Sequence, residues 1–428
     1  MKPHSCDIAV VGAGSAGIAA AIAAARRGAS VCVIERSATV GGHATDAMVG
    51  TICGLSLCGP ASRQLPQYDN PGFASDFGRR IASASGTTPV TSELQLTYLP
   101  YRIAAFEYVA KAALESIDSI SRHLSTNLIS LERSGERGDF LLCLSSHSDS
   151  TTQIRAQAVI DASGDAIVSS YLKLSTIDPN PPQAAALVFE LSGLPSLDER
   201  TLGFTMRKIL REASAEGALA EHLSYLSLVP GSLQAGRVLC KLGVAPLCES
   251  AAEAPLDIIY TKTMDSIPEI LLCLCDRAPL FCATRHTRTA PKLGVRSGRR
   301  GVGEVLLEDD GVLFSKPDPS GVALGLWPVE AWNTPLRPEI VFPQGCGAYE
   351  IPFGSLCAKE MPGVYFAGRT ISASDKAIAS ARVIGTCLST GYAAGSIAAG
   401  TIQGETRSSL ISSLREEQIS PFYEVGIA

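Results

Sequence analysis

The 428-residue chain has little imbalance of charge: 42 acidic residues face 36 basic ones, for a net −6, with no long run of either sign. Without a basic stripe or patch there is no electrostatic footprint for nucleic acid. Cysteine is also thin on the ground. Thirteen scattered cysteines in a chain this long fall far below a disulfide scaffold and point to a reducing cytoplasm. Paired CxxC motifs that would hold zinc are missing, so no metal is expected. Long apolar runs are scarce as well. The one uncharged stretch, residues 8–25, is broken by Gly12, Gly14 and Gly17 and is followed by Arg26 and Arg27, a poor fit to a signal peptide or a membrane span. No other window reads as a span, and there is no internal repeat or low-complexity tract. What remains is 46% hydrophobic and 18% charged, the balance of a well-buried globular protein. At roughly 150 residues per domain the chain has room for two or three lobes.

Residues 6–12 (CDIAVVG) read as a short buried strand, residues 15–27 as an alanine-rich helix, and residues 30–35 (SVCVIE) as a second strand rich in β-branched side chains. The turn that opens the helix is Gly12-Ala13-Gly14-Ser15-Ala16-Gly17, a GxGxxG between strand and helix, with Glu35 ending the next strand. Gly12 permits the tight turn, Gly14 lets a pyrophosphate approach the backbone, and Gly17 lets helix and strand pack closely. The helix amino terminus offers free N–H groups to phosphates, and Glu35 can accept from a ribose hydroxyl. These features predict a dinucleotide site on a βαβ unit.

Further on, the prolines of residues 60–89 leave no periodicity to read. Residues 101–124 carry Ile103, Phe106, Val109, Ala110, Ala113 and Leu114 at helical spacing, which predicts one long amphipathic helix. Residues 127–133, 139–145 and 152–156 predict a small antiparallel meander, and residues 158–162 a separate apolar strand. The middle mixes a strand-like run, 184–191, with helical runs at 202–218 and 266–277. From Gly363 a buried strand returns, followed by small-residue helices to Ala399 and a polar tail.

Several segments beyond the first βαβ unit bear on which nucleotide is bound. Glu35-Arg36 followed by Val40-Gly41-Gly42 resembles the ERxxxxGG continuation of proteins with the glutathione-reductase-type flavin fold. Residues 159–165 (VIDASGD) resemble that fold's IDATGD segment, and residues 363–369 (GVYFAGR) its second FAD-contact strand. Residues 382–386 (RVIGT) with 391–395 (GYAAG) resemble its last helix. An Arg-Arg-x-x-Gly at 299–303 and a Tyr-x-Ile-Pro at 349–352 complete a resemblance to the FAD-dependent oxidoreductase family. That resemblance implies FAD, contacted by Gly12, Ala13, Gly14, Ser15, Ala16, Gly17, Glu35, Arg36, Gly41, Gly42, Ala162, Ser163, Gly164, Gly368, Arg369, Ile384, Gly385 and Thr386. Arg369 is a departure, since other branches carry Asp after the Ala-Gly of the late strand.

The expected fold class is therefore α/β. A Rossmann-like FAD-binding domain, with a βαβ unit, a central parallel sheet and a small β-meander, would be assembled from residues 1–183 and 346–428. An α+β substrate domain, residues 184–345, would be inserted in it. A helix amino terminus near residues 377–385 would stabilise negative charge on a reduced flavin. The expected function is oxidation of a small organic substrate by hydride transfer to flavin N5, with an unassigned electron acceptor and no membrane or nucleic-acid partner. Alternatives are an NAD(P)H-dependent flavin monooxygenase, a non-catalytic flavin-binding or interaction subunit, and a disulfide oxidoreductase using Cys53 and Cys58.

Candidate reacting groups are few. His43 follows the glycine pair and could be a base or a hydrogen-bonded structural histidine. Tyr349 is an acid–base candidate with packing as the plainer reading. Arg285, Arg288, Arg296, Arg299 and Arg300 suit an anionic substrate group, with Arg296 the chosen candidate, yet ion pairs to Glu304 or Asp309 would explain such a cluster equally well. Cys53 and Cys58, four residues apart, and the Cys273–Cys275 pair could be redox thiols or merely small buried hydrophobes.

Overall fold

The computed structural model describes residues 4–134, 138–146, 151–247 and 255–424. The strand His4–Val11 runs parallel to Val31–Ile34 on one side and to Thr151–Asp161 on the other, with the helix Ser15–Arg26 crossing between the first two. This is the expected βαβ unit. Ile120–His123 adds a parallel edge strand beside Val31–Ile34, and Val364–Phe366 pairs parallel with residues 159–161. The meander Thr126–Ser134, Asp139–Ser146 closes antiparallel onto residues 151–156.

Three sequence expectations need correction. The long helix over 101–124 is instead the helix Ile103–Glu115 followed by the strand Ile120–His123. Helical spacing persists to Leu114, but pairing of Ile120 with Val31 at the open sheet edge takes the rest. The strands expected at 152–156 and 158–162 are one continuous strand, because both of its edges find partners. The polar tail is ordered, with Arg407–Gln418 helical and its Leu410 and Leu414 buried in the main core. Unforeseen altogether was the helix Phe73–Ser85 among the prolines, which packs Phe73 and Phe77 inward.

Ten of the twelve described cysteines are free, and Cys275 in the helix Ile267–Arg277 is bonded to Cys282, a bridge the cysteine count did not foretell. Among the described residues no helix is long and apolar enough to cross a membrane.

Buried apolar side chains form two main clusters. The larger gathers the parallel sheet, the helix Ser15–Arg26, and residues from 307 onward; the second is built from residues 185–295. In the second, Ala184–Ser192 and Arg237–Pro246 pair antiparallel, and strand alternation sends Leu187, Phe189, Cys240 and Leu242 into the cluster. The opposite face carries Ala186, Val188 and Lys241 toward the larger body.

The long helix Ile384–Ile402 lies against Ser15–Arg26 at backbone distance. A Cβ at Gly391 would sit 2.1 Å from the Ala16 carbonyl oxygen, and one at Gly395 would sit 2.1 Å from that of Ala20. Gly395→Val is therefore expected to destabilise the protein by about 3 kcal/mol through overpacking. A chemical denaturation midpoint unchanged by the substitution would contradict this packing.

Candidate flavin cleft

The first strand ends in Gly12, held at φ +102°, where a Cβ would fall 2.5 Å from the Ala162 carbonyl oxygen. Only glycine fits there. Gly17 lies as close to the Gly12 carbonyl, so the helix starts directly on the strand. The second loop then folds back: the Gly41 N–H donates to the Ala13 carbonyl at 2.8 Å, and a Cβ on Gly42 would reach within 2.9 Å of the Gly14 Cα. The two glycine turns thus pack backbone against backbone, leaving beside them a gap that no side chain fills.

This gap is part of a cleft of about 130 Å³ lined by Gly12, Gly14, Ser15, Ala16, Glu35 and Arg36, and on its other walls by Gly41, Gly42, Ala162, Ser163 and Gly164. Gly368, Arg369 and Ile384 complete it. Of the eighteen residues the resemblance implied, Ala13, Gly17, Gly385 and Thr386 do not line the cleft. Ala13 donates its N–H to Glu35, and Gly17 makes the helix–strand contact. Gly385 and Thr386 turn toward Gly54, where the Thr386 hydroxyl is buried without a partner. Glu35 is buried and accepts the N–H groups of Ala13 at 2.7 Å and Ser37 at 2.8 Å, one on each oxygen. Each oxygen keeps a second lone pair for a ribose hydroxyl.

The cleft continues into a second section of about 210 Å³, the two sharing His43, Arg369, Arg382 and Ile384. His43 stands where the sections meet. Here the sheet of the second cluster contributes Ala186, Val188 and Lys241, and the larger body contributes Thr51, Cys53, Glu330 and Trp332. Trp332 organises the polar groups. Lys241 Nζ lies 4.4 Å and the Arg296 guanidinium 4.2 Å from its ring centroid, and its indole N–H donates to Glu330 at 2.8 Å. The other Glu330 oxygen accepts from Trp327 at 2.8 Å. Arg382 donates to the Glu330 carbonyl at 2.9 Å and to Gln183, while its Nε has no partner. Burial pulls Lys241 down to about 8, aided by Arg296 and opposed by Glu330.

Other expected groups stand elsewhere. Tyr349 is fully buried, its hydroxyl shared with Ser380 at 2.7 Å, and it lines neither section, so it is a packing residue. Arg285 and Arg288 sit on the exposed strand Arg285–Thr289. Arg299 pairs with Asp165 and Arg300 with Asp375, not with Glu304 or Asp309, which pair with Arg407 and Lys376. Only Arg296 of the five reaches the flavin cleft. Sequence reasoning missed Lys241, Glu330, Trp332 and Arg382 as site residues, along with Lys292, which enters the first section paired to Asp46 at 2.9 Å.

Cys53 and Cys58 are free thiols, and burial pushes both up, Cys58 to about 12. A redox thiolate needs the opposite shift. Cys53→Ser is accordingly expected to leave the visible flavin spectrum unchanged, and loss of a long-wavelength charge-transfer band on that substitution would overturn this assignment.

Whether FAD fits can be judged from the cleft itself. The glycine turns leave space a Cβ would fill, a helix start supplies N–H groups, and Arg36, Arg369 and Arg382 supply positive charge suited to a pyrophosphate. Residues 7–417 match the family described as FAD dependent oxidoreductase.

The chain belongs to that family.

FAD is the family's cofactor. A 48-residue stretch of this FAD-dependent oxidoreductase family member is 50% identical to the NADH:fumarate oxidoreductase of Klebsiella pneumoniae (strain 342), covering 11% of this chain and 5% of that protein. Among solved structures, the anhydrotetracycline hydroxylase OxyS of Streptomyces rimosus is similar at 11% identity and a TM-score of 0.49, over 96% of this chain and 65% of that one. The p-nitrophenol 4-monooxygenase PnpA of Pseudomonas putida DLL-E4 is similar at 11% identity and a TM-score of 0.47, over 98% and 86%. This chain therefore spans less than two thirds of the length of the first hydroxylase and a small part of the fumarate oxidoreductase.

Proposed function

We propose that this family member oxidises a small anionic molecule in the second section of the cleft, with FAD as the two-electron acceptor. The observation that carries the reading is the surplus of positive charge there, on half-buried side chains that line one cavity. Lys241, Arg296 and Arg382 converge on a cavity whose lining acid, Glu330, already accepts from two indoles. Half-buried cations without carboxylate partners are costly, and a substrate carboxylate would compensate them.

Of the eighteen residues the family resemblance implied, the fourteen that line the cleft form the cofactor cradle in this proposal, with the glycine turns against the pyrophosphate and Glu35 toward a ribose, while Ala13, Gly17, Gly385 and Thr386 support it from behind. Arg36 would offset the phosphate charge, Lys292 being already paired with Asp46. When bound, FAD supplies a flavin ring able to take a hydride. The chain's own part is to hold the substrate carboxylate on Lys241 and Arg296, exclude water with Val188 and Trp332, and take the substrate proton on His43 at the junction of the two sections. The division into a flavin lobe, 1–183 with 346–428, and a cap, 184–345, is part of the same reading, with the cap's last stretch from residue 307 packed into the larger core, as is a cytoplasmic setting.

Small carboxylates, titrated into the FAD-loaded protein, are expected to perturb the visible flavin spectrum, whereas their neutral amides are not. Equal perturbation by acid and amide would remove the ionic basis of the proposal.

A further inference from the structure

A separate chamber of about 380 Å³ adjoins the flavin cleft, enclosed by residues 179–183, residues 296–300, the start of the helix Asp375–Ala381, and the strands Val329–Ala331 and Glu339–Val341. Its size falls in the range of roughly 300–1,000 Å³ typical of small-molecule sites. One side is apolar, formed by Val329, Ala331, Val341 and Ile378. Its charged groups are not alike. Arg300, 1% exposed, is neutralised by Asp375 at 2.8 Å. Arg296, in contrast, lines both the chamber and the flavin cleft, and its partners are the Ala184 carbonyl and the face of Trp332, with no carboxylate at ion-pair distance among the described residues, although Glu339 and Asp375 also line the chamber and Glu330 the cleft. Burial, and next Arg382, pull Arg296 down, so its charge is held against the environment.

We propose that this chamber is a second binding site, for a small organic carboxylate with an apolar body, whose carboxylate meets Arg296 and whose body lies on Val329, Ala331, Val341 and Ile378. A fork-shaped cation selects a carboxylate. The apolar wall selects a ligand with hydrocarbon behind it. Because Arg296 is the partition, a ligand seated there also alters the charge presented to the flavin cleft. The site shares Arg296 with the substrate position proposed above, so the two carboxylates are alternatives on that side chain, but it does not rest on the oxidation itself.

The test is calorimetric titration of the FAD-loaded protein with benzoate and, separately, with the neutral benzyl alcohol. Benzoate is expected to bind at one site per chain at least ~10-fold more tightly than the alcohol, about 1.4 kcal/mol. Two variants fill the chamber from different strands: Ala331→Trp and Val341→Phe, the latter at a position 41% exposed and tolerant of size. Both are expected to weaken benzoate at least ~10-fold, to the affinity left by the cleft alone, while keeping their FAD and the visible spectrum of the parent. Trp327 and Trp332 are the chain's two tryptophans, so benzoate on Arg296 is also expected to change their emission in the parent and, at the same benzoate concentration, less in the filled variants. Benzoate binding with parental affinity in the filled variants, equal binding of the alcohol, or no binding to the parent would overturn the proposal. None of these readouts requires flavin turnover, so failure of the proposed oxidation leaves the result legible.

Discussion

Replacing Gly14 with valine strips the protein of FAD without unfolding it. Gly14 is the N-cap of the helix Ser15–Arg26 at φ −70° and ψ −178°, a backbone conformation open to any residue. A Cβ there would meet only the Gly42 Cα, at 3.9 Å. The protein itself has no objection to a side chain at this position. The cofactor does, because valine would occupy the gap beside the two glycine turns through which the pyrophosphate reaches the helix N–H groups. FAD affinity is expected to fall at least ~100-fold, about 2.7 kcal/mol. The apoprotein's Tm is expected to move only by the degrees that a poorer N-cap costs, about 1 kcal/mol. Gly12→Val is the informative contrast. At φ +102° and 2.5 Å from the Ala162 carbonyl it would damage the fold itself. Equilibrium FAD titration with parallel thermal melts separates the two outcomes, and a Gly14→Val protein with parental FAD affinity would place the pyrophosphate elsewhere.

Binding of a carboxylate in the second section of the cleft is expected to weaken above pH about 8. Lys241 is charged below that value and neutral above it, since burial has pulled it down from an ordinary 10.5. Arg296, Arg369, Arg382, Glu330, Cys53 and His43 face the same space, and the arginines keep their charge throughout this range, so Lys241 carries the pH dependence. The dissociation constant should rise by up to about tenfold per pH unit once Lys241 loses its proton. Lys241→Arg is expected to carry the tight-binding plateau to higher pH. Lys241→Met should weaken binding by roughly 100- to 1,000-fold at neutral pH, about 3–4 kcal/mol, and abolish the dependence near 8. Stability runs the other way. A lysine whose folded value lies below its unfolded one costs stability as pH falls through the window from 10.5 to about 8, and the cost is fully present below it. Lys241→Met should therefore melt higher than the parent at neutral pH while binding worse, the signature of a group kept for function. A parent whose carboxylate affinity is flat from pH 7 to 10 would contradict this role.

The cofactor half of the site was legible because its requirements are local. A glycine run between a strand and a helix, and an acid one strand later, are fixed in spacing by the βαβ unit that they serve. Gly12, Gly14, Glu35, Gly41 and Gly42 were read from residues close in sequence, and they line one cleft. The second section was not legible, because Lys241, Glu330, Trp332 and Arg382 come from four distant segments with no common spacing. Strand alternation in residues 237–246 did mark Lys241 as the odd charged residue in an apolar run, a signal that could have been used. Among the arginines, residue type could not separate Arg296 from Arg299 and Arg300. Only tertiary structure shows that Asp165 and Asp375 neutralise the latter two. The motif around Tyr349 leaves packing and acid–base roles open, and only the fold brings up Ser380, 31 residues away, to share its buried hydroxyl.

The most direct test of the account is anaerobic absorbance spectroscopy of the FAD-loaded protein against a panel of small carboxylates, with NADPH alongside. The account predicts that a carboxylate bleaches the visible flavin bands, that its amide does not, and that Lys241→Met slows the bleaching while FAD remains bound. Bleaching by NADPH alone, with every carboxylate inert, would contradict it and make the protein a flavin monooxygenase instead.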